Sequence, residues 1–290
     1  MTSEELISAL KIKGSFPSTN DLFSDSDFLV LFNHQLQTEI VPVMQLLSEE
    51  FFLLSKDYAI TQGSTYRIPS RAIGAKLRDL QVVDTSNNLI SLDRLMEEDR
   101  PLDNSGYYLV RNSVELSNGF TSGTLRMKYF ARPNKLVLSS ACGQIASIDT
   151  GNSQVTVSAL PSTMTTGVLC DFVQYRNPYD LLAYDQAITN VSGTTVTFAS
   201  LPDGLEVGDW LTLAEQACVP MLPEEMHPIL VQSALVSALS AKKDKAVTYE
   251  AQVLERVKQD AIRMLDPRVE NNSVSFRSGR LLSYFSTRWS

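Results

Sequence analysis

IASIDTGNSQVTVSALPSTMTTGVL, residues 145–169, is echoed by ITNVSGTTVTFASLPDGLEVGDW, residues 188–210. Ile145, Ile148, Gly151, Val155, Val157, Leu160-Pro161, Gly167 and Leu169 return as Ile188, Val191, Gly193, Val196, Phe198, Leu201-Pro202, Gly208 and Trp210. The offset is 43 residues before the turn and 41 after it, so the second copy has the tighter turn. Each copy reads as a hairpin with a Gly-bearing turn, a Leu-Pro break, and a Gly-led third strand. Three short strands cannot bury a face alone, so the copies are predicted to pair into a small barrel or sandwich over 141–217. A duplicated scaffold is the plain explanation; a ligand groove between the copies is the alternative.

On the N-terminal side, period-two apolar runs continue. Phe52–Ile60, Thr65–Pro69, Lys76–Asp84, Tyr107–Val110, Ser113–Leu116 and Thr124–Phe130 are bounded by Gly and Asn turn residues. A short helix is expected around Leu92–Glu98. Residues 51–140 therefore read as a mainly antiparallel β region.

Helical periods occupy the two flanks. Thr2 or Ser3 with Glu4-Glu5 starts a helix that stops at Gly14. Phe28, Phe32, Leu36 and Ile40 recur every four residues in the next, which Pro42 should kink or interrupt. Beyond Pro223, stripes at Val231, Leu235, Ala238, Leu239 and at Val253, Val257, Ala261, Leu265 flank a polar break at 242–245, the pattern of an αα-hairpin. The fold class expected is α+β. A helical bundle is built from the N-terminal helix and the C-terminal helical hairpin, with an inserted antiparallel β region that includes the duplicated small β unit, followed by an extended C-terminal arm. The corresponding segments are 1–50, 51–140, 141–217, 218–267 and 268–290.

Composition narrows the function classes. The formal charge of -8 argues against wrapping nucleic acid with the whole surface. Cys142, Cys170 and Cys218 fall in no zinc or redox spacing and read as reduced structural thiols. The first residues lack a basic region followed by an apolar run, so neither a signal peptide nor a membrane span is expected.

No phosphate-binding glycine loop is present. In Gly119-Phe-Thr-Ser122-Gly123 the serine stands one place too late for a nucleophile elbow, and a hairpin turn is expected instead. Glu224 and His227 have the Glu-x-x-His spacing of di-metal bundles, but His34 has Leu31 at the matching place. Glu224-Glu225 after Pro223 is also what a helix N-terminus favours. Catalytic residues, metal ligands and cofactors are all expected to be absent.

The last segment behaves differently. Phe276, Tyr284, Phe285 and Trp289 alternate with Arg277, Arg280 and Arg288, without a helical or strand period. Aromatics spaced by arginines on a segment with no core of its own predict an arm that docks on another surface. Fully extended, 268–290 reaches about 75 Å. That exceeds the radius of gyration of roughly 19 Å for a compact domain of this length, so the arm could cross a neighbouring subunit.

Three segments carry a family resemblance: YRIPSRAIGAKLRDL at 66–80, GYYLVRNSVEL at 106–116 leading into LRMKYFARPNKLV at 125–137, and LPEEMHPILVQSALVSAL at 222–239. With the flanking helices and the arm, the chain resembles tailed-bacteriophage head-to-tail connector proteins, also called adaptor or neck-ring proteins. The resemblance implies a non-enzymatic virion protein in the neck or tail, assembled in the host cytoplasm. It implies a homo-oligomeric ring, of twelve copies, between the portal protein and downstream tail or nozzle proteins. DNA would pass through its channel without sequence-specific binding, and no membrane is involved. Alternatives are another tail or baseplate component, or a tail-associated carbohydrate-binding or hydrolytic module built on the β repeat. The duplicated unit has no counterpart in the family pattern.

Overall fold

A computed structural model describes residues 1–17, 23–47, 49–61, 63–96, 98, 106–117 and 120–265. Helix α1 (Ser3–Lys13) begins at a capping box, with Thr2 and Glu5 each accepting the other's backbone N–H. Helix α2 (Asp25–Gln35) runs through a π turn, Leu36–Ile40, into α3 (Val41–Leu47). The Val41 N–H donates to the Leu36 carbonyl, five residues back. Pro42 cannot donate at the next position, and the widened turn ahead of it is how the helix continues past the expected interruption.

The β structure follows. Strands β1 (Leu53–Ala59), β2 (Thr65–Arg67), β3 (Ala72–Val83), β4 (Leu89–Ser91), β5 (Tyr107–Val110), β6 (Ser113–Leu116) and β7 (Thr124–Ala131) form two sheets, ordered β1-β7-β3-β4 and β2-β6-β5. Of the helix expected at Leu92–Glu98, the stretch Leu92–Met96 is not helical, and Glu98 lies in a 3-10 turn. Leu92 is buried, and Arg94 makes an isolated bridge to Tyr107. That contact with a partner distant in sequence overrides a weak local helical preference.

Strand β8 (Lys135–Leu136) leads into β9 (Gly143–Asp149), β10 (Gln154–Val157), β11 (Leu169–Val173), β12 (Leu181–Ala187), β13 (Asn190–Ser192), β14 (Thr195–Thr197) and β15 (Trp210–Leu213). The last seven make one antiparallel sheet ordered β12-β11-β15-β9-β10-β14-β13. The repeat is visible in its register. Val155 pairs with Val196, and Asp171 pairs with Thr212, each the 41-residue equivalent of the other. A local pseudo-twofold axis therefore relates the two copies through both pairs. Ile145 and Ile188, Val157 and Phe198, and Cys170 and Leu211 fill one core from both copies. Both copies thus lie in one seven-stranded antiparallel sheet.

Strand β16 (Gln216–Ala217) pairs in parallel with β8, after which α4 (His227–Ala241) and α5 (Val247–Leu265) complete the described chain. Phe28, Phe32, Leu230 and Leu235 are buried in a core shared by the helices. This core also takes Phe52 and, from β8, Leu136.

The expected helical bundle with an inserted β region is overturned. The described residues are mostly β, with sixteen strands in four sheets, seven of them in one sheet. The physical reason lies in where the cores are. Three of the four apolar clusters consist of β and loop residues alone, while the helical cluster needs β residues to close. Of the residues of α5, only Leu254 and Ala261 are buried, so it lies on the surface rather than inside a bundle. The helices form a layer on a β protein.

Among the described residues, no helix is long and apolar enough to cross a membrane. The arm residues Phe276, Arg277, Arg280, Tyr284, Phe285, Arg288 and Trp289 lie outside the described residues.

Candidate functional site

Asp171 stands alone in an apolar run, Val168-Leu-Cys-Asp-Phe-Val173, and is fully buried at the pseudo-twofold axis. A buried carboxylate is tolerated only with partners, and here they come from four other parts of the chain. Arg71, just ahead of β3, reaches both its oxygens through Nη2, at 2.7 and 2.9 Å. Asn134, between β7 and β8, donates from Nδ2 at 2.7 Å. The backbone N–H groups of Asp185 and Glu215 complete the set at 3.0 and 2.9 Å.

The arrangement needs an unusual backbone. Strand β12 bulges opposite Asp171, with Tyr184 and Asp185 facing a single residue of β11. Asp185 at φ 54° and Glu215 at φ 65° both adopt the left-handed region, which disfavours side chains other than glycine. Each turns its N–H onto Asp171. The carboxylate thus holds two strained bends in place.

Arg71 is equally engaged. Its Nη1 donates to Asn134 Oδ1 at 2.9 Å and its Nη2 to Asp185 Oδ1 at 2.8 Å, while the Tyr184 ring packs against the guanidinium. Lys56 Nζ lies 3.8 Å from Asp185, so the cluster holds two cations and two carboxylates. Burial works against the Arg71 charge, yet Asp185 and Asp171 raise its pKa above the ordinary value. Burial pushes the Asp171 carboxyl up, opposed by Arg71 and the hydrogen bonds. Every group touching the Asp171 oxygens is an N–H donor, and a protonated carboxyl would turn its own proton against one of them. Asp171 is therefore ionised, as one half of a saturated ion pair.

Chemically, this hub locks. It offers no free nucleophile and no exposed acid–base pair. It ties the β1–β7 region to the duplicated unit through residues up to 144 positions apart, counted from Arg71 to Glu215. A cleft of about 430 Å³ opens beside it, between α2 and the β15–β16 turn. Arg71, Arg132, Lys135, His34, Gln37 and Glu215 line it. Asn33 closes one wall, pinning β8 to α2 by exchanging hydrogen bonds with the Leu136 N–H and carbonyl at 2.7 and 3.0 Å.

The other candidate groups have structural roles. His227 is fully buried at the start of α4, with Nε2 3.2 Å from the Leu222 carbonyl and Nδ1 3.2 Å from the Met1 amine. Burial, with the nearby amine, lowers its pKa to about 4. His34 is exposed on α2, apart from His227, and no cluster among the described residues could hold a metal ion. Ser122 is exposed beside Gly123, whose φ of 111° and close approach to β3 require glycine. A Cβ there would lie 2.5 Å from the Val83 carbonyl oxygen. The three cysteines are buried, and burial raises the Cys170 thiol to about 12.

Arg71 and Asn134 lie in the segments 66–80 and 125–137, where nothing local to either residue marks a role. The signal was present in Asp171. One acid inside a six-residue apolar run demands a cation and donors from elsewhere. In comparisons with known proteins, no family model matches the chain and no curated protein matches it significantly.

Proposed function

We propose that the chain is a non-enzymatic structural protein of a tailed-phage virion, forming a ring that connects the portal to the tail and leaves a channel for DNA. The observation that carries this reading is the saturated Arg71–Asp171–Asn134–Asp185 hub. It is the most deeply buried charged cluster described, and it stiffens a junction between β units instead of presenting a reactive group. A part that must transmit load between neighbours needs such junctions. The three segments of the family resemblance contribute to the same construction. Arg71 belongs to the first, Asn134 to the second, and buried Leu230 and Leu235 of the helical layer to the third.

The acidic net charge of -8 suits a passage that must not hold DNA. Segment 268–290 supplies the docking arm. Ordering an extended segment costs about 1–2 kcal/mol per residue, so arms act together on a partner already arranged in a ring. The test is co-assembly with the portal protein of the same phage. The full chain attaches and forms rings, whereas a chain lacking 268–290 stays folded and fails to attach. Unimpaired attachment of the truncated chain contradicts the role of the arm.

A further inference from the structure

The cleft beside the hub is lined by two cations that the hub does not use. Arg132 and Lys135 are exposed at its wall, and neither has an ion-pair partner among the described residues. Their placement follows from Asn134 between them. Asn134 turns into the hub, and its Nδ2 also holds the Gln216 carbonyl at 3.0 Å. The Arg132 N–H donates to the Arg71 carbonyl at 2.7 Å and the Lys135 N–H to the Glu215 carbonyl at 2.9 Å. Both backbones are thereby fixed while both side chains remain free. Arg71 adds no net charge to the cleft, because Asp171 and Asp185 balance it and Lys56. Glu215 is the one acid in the lining, and its carboxylate already accepts the Ser70 hydroxyl at 2.8 Å.

We propose that this cleft is a binding site for an acidic peptide segment of a partner protein, with Arg132 and Lys135 as the charged contacts. A planar carboxylate matches the guanidinium fork of Arg132 in two parallel hydrogen bonds, and Lys135 serves a second carboxylate as a point charge. Gln37 adds an uncharged donor at the α2 side. Nucleic acid fits the site less well. A duplex carries one charge per ~1.7 Å and needs a row of cations on an open face. Here two free cations sit in a concavity on a chain of net charge -8. At physiological salt, charges beyond about 8 Å are screened, so a short acidic peptide feels the cleft while a long polyanion also feels the acidic surface.

The test is calorimetric titration of the full chain with a tetraglutamate peptide, with inorganic phosphate and with a short DNA duplex. The proposal expects peptide binding that falls with added salt. It also expects a loss of at least about tenfold in Arg132→Ala/Lys135→Ala, whose exposed side chains leave the fold unchanged by circular dichroism. Lys76→Ala, a substitution elsewhere on the surface, should bind as the parent does. Absence of peptide binding, or equal binding by the double variant, overturns the proposal. Tighter binding of duplex or of phosphate through the same two residues overturns the ligand class.

Discussion

Replacing Arg71 with methionine keeps much of the apolar stem and removes the guanidinium from the hub. Asp171 then loses both contacts from Nη2, Asn134 loses its link to Nη1, and Asp185 loses its main charge partner. The exposed fraction is 3% at Arg71 and zero at Asp171, so water cannot replace what is removed. Leaving a buried charge without its partner costs about 3–5 kcal/mol. At roughly 2–4 °C per kcal/mol for a chain of this size, Tm should fall by about 10 °C. Urea denaturation of Arg71→Met, Asp171→Asn and the double variant forms a double-mutant cycle. The single changes should each be costly and the double change much less than their sum, with a coupling of about 2 kcal/mol or more. A loss below about 1 kcal/mol for Arg71→Met, or strictly additive effects, refutes the hub as the junction of the β units.

Three further outcomes follow from other parts of the molecule. His227 titrates at about 4 when folded and near 6.5 when free, so the unfolded chain takes up its proton first. Its contribution to stability is complete above pH 6.5 and is lost as pH falls toward 4, by up to about 3 kcal/mol. Urea midpoints across that window should show the slope, and His227→Gln should flatten it. Gly123→Ala must place a Cβ against the Val83 carbonyl at a φ of 111°, and should destabilise by about 1–3 kcal/mol in the same assay, whereas an alanine at exposed Ser122 should be silent. Removing 268–290 should leave the melting temperature within a few degrees of the parent, because the segment carries no helical or strand period with which to build a core.

Much of the local structure was legible because it is written in short periods. Strands β5 and β6 fall where alternation placed them, as does the helical layer at both ends of the chain. The repeat predicted more than similarity, since equivalent residues pair across the sheet at Val155–Val196 and Asp171–Thr212. The balance between layers was not legible. Three-residue β4 and two-residue β8 and β16 carry too few residues for any period to register; β4 is held by the preceding strand β3, and β8 and β16 hold each other from 81 positions apart. With those short strands silent, the helical periods at the two ends dominate the sequence. The hub was hidden for a similar reason. Arg71 and Asn134 are unremarkable locally and acquire meaning only when folding brings them to Asp171.

The proposal of a ring connector is tested most directly by locating the chain in a reconstruction of a phage particle. Density for it in a closed ring between portal and tail, with the hub at the junction of its β units, is the expected result. Density at the tail tip, or a chain absent from the particle, contradicts it.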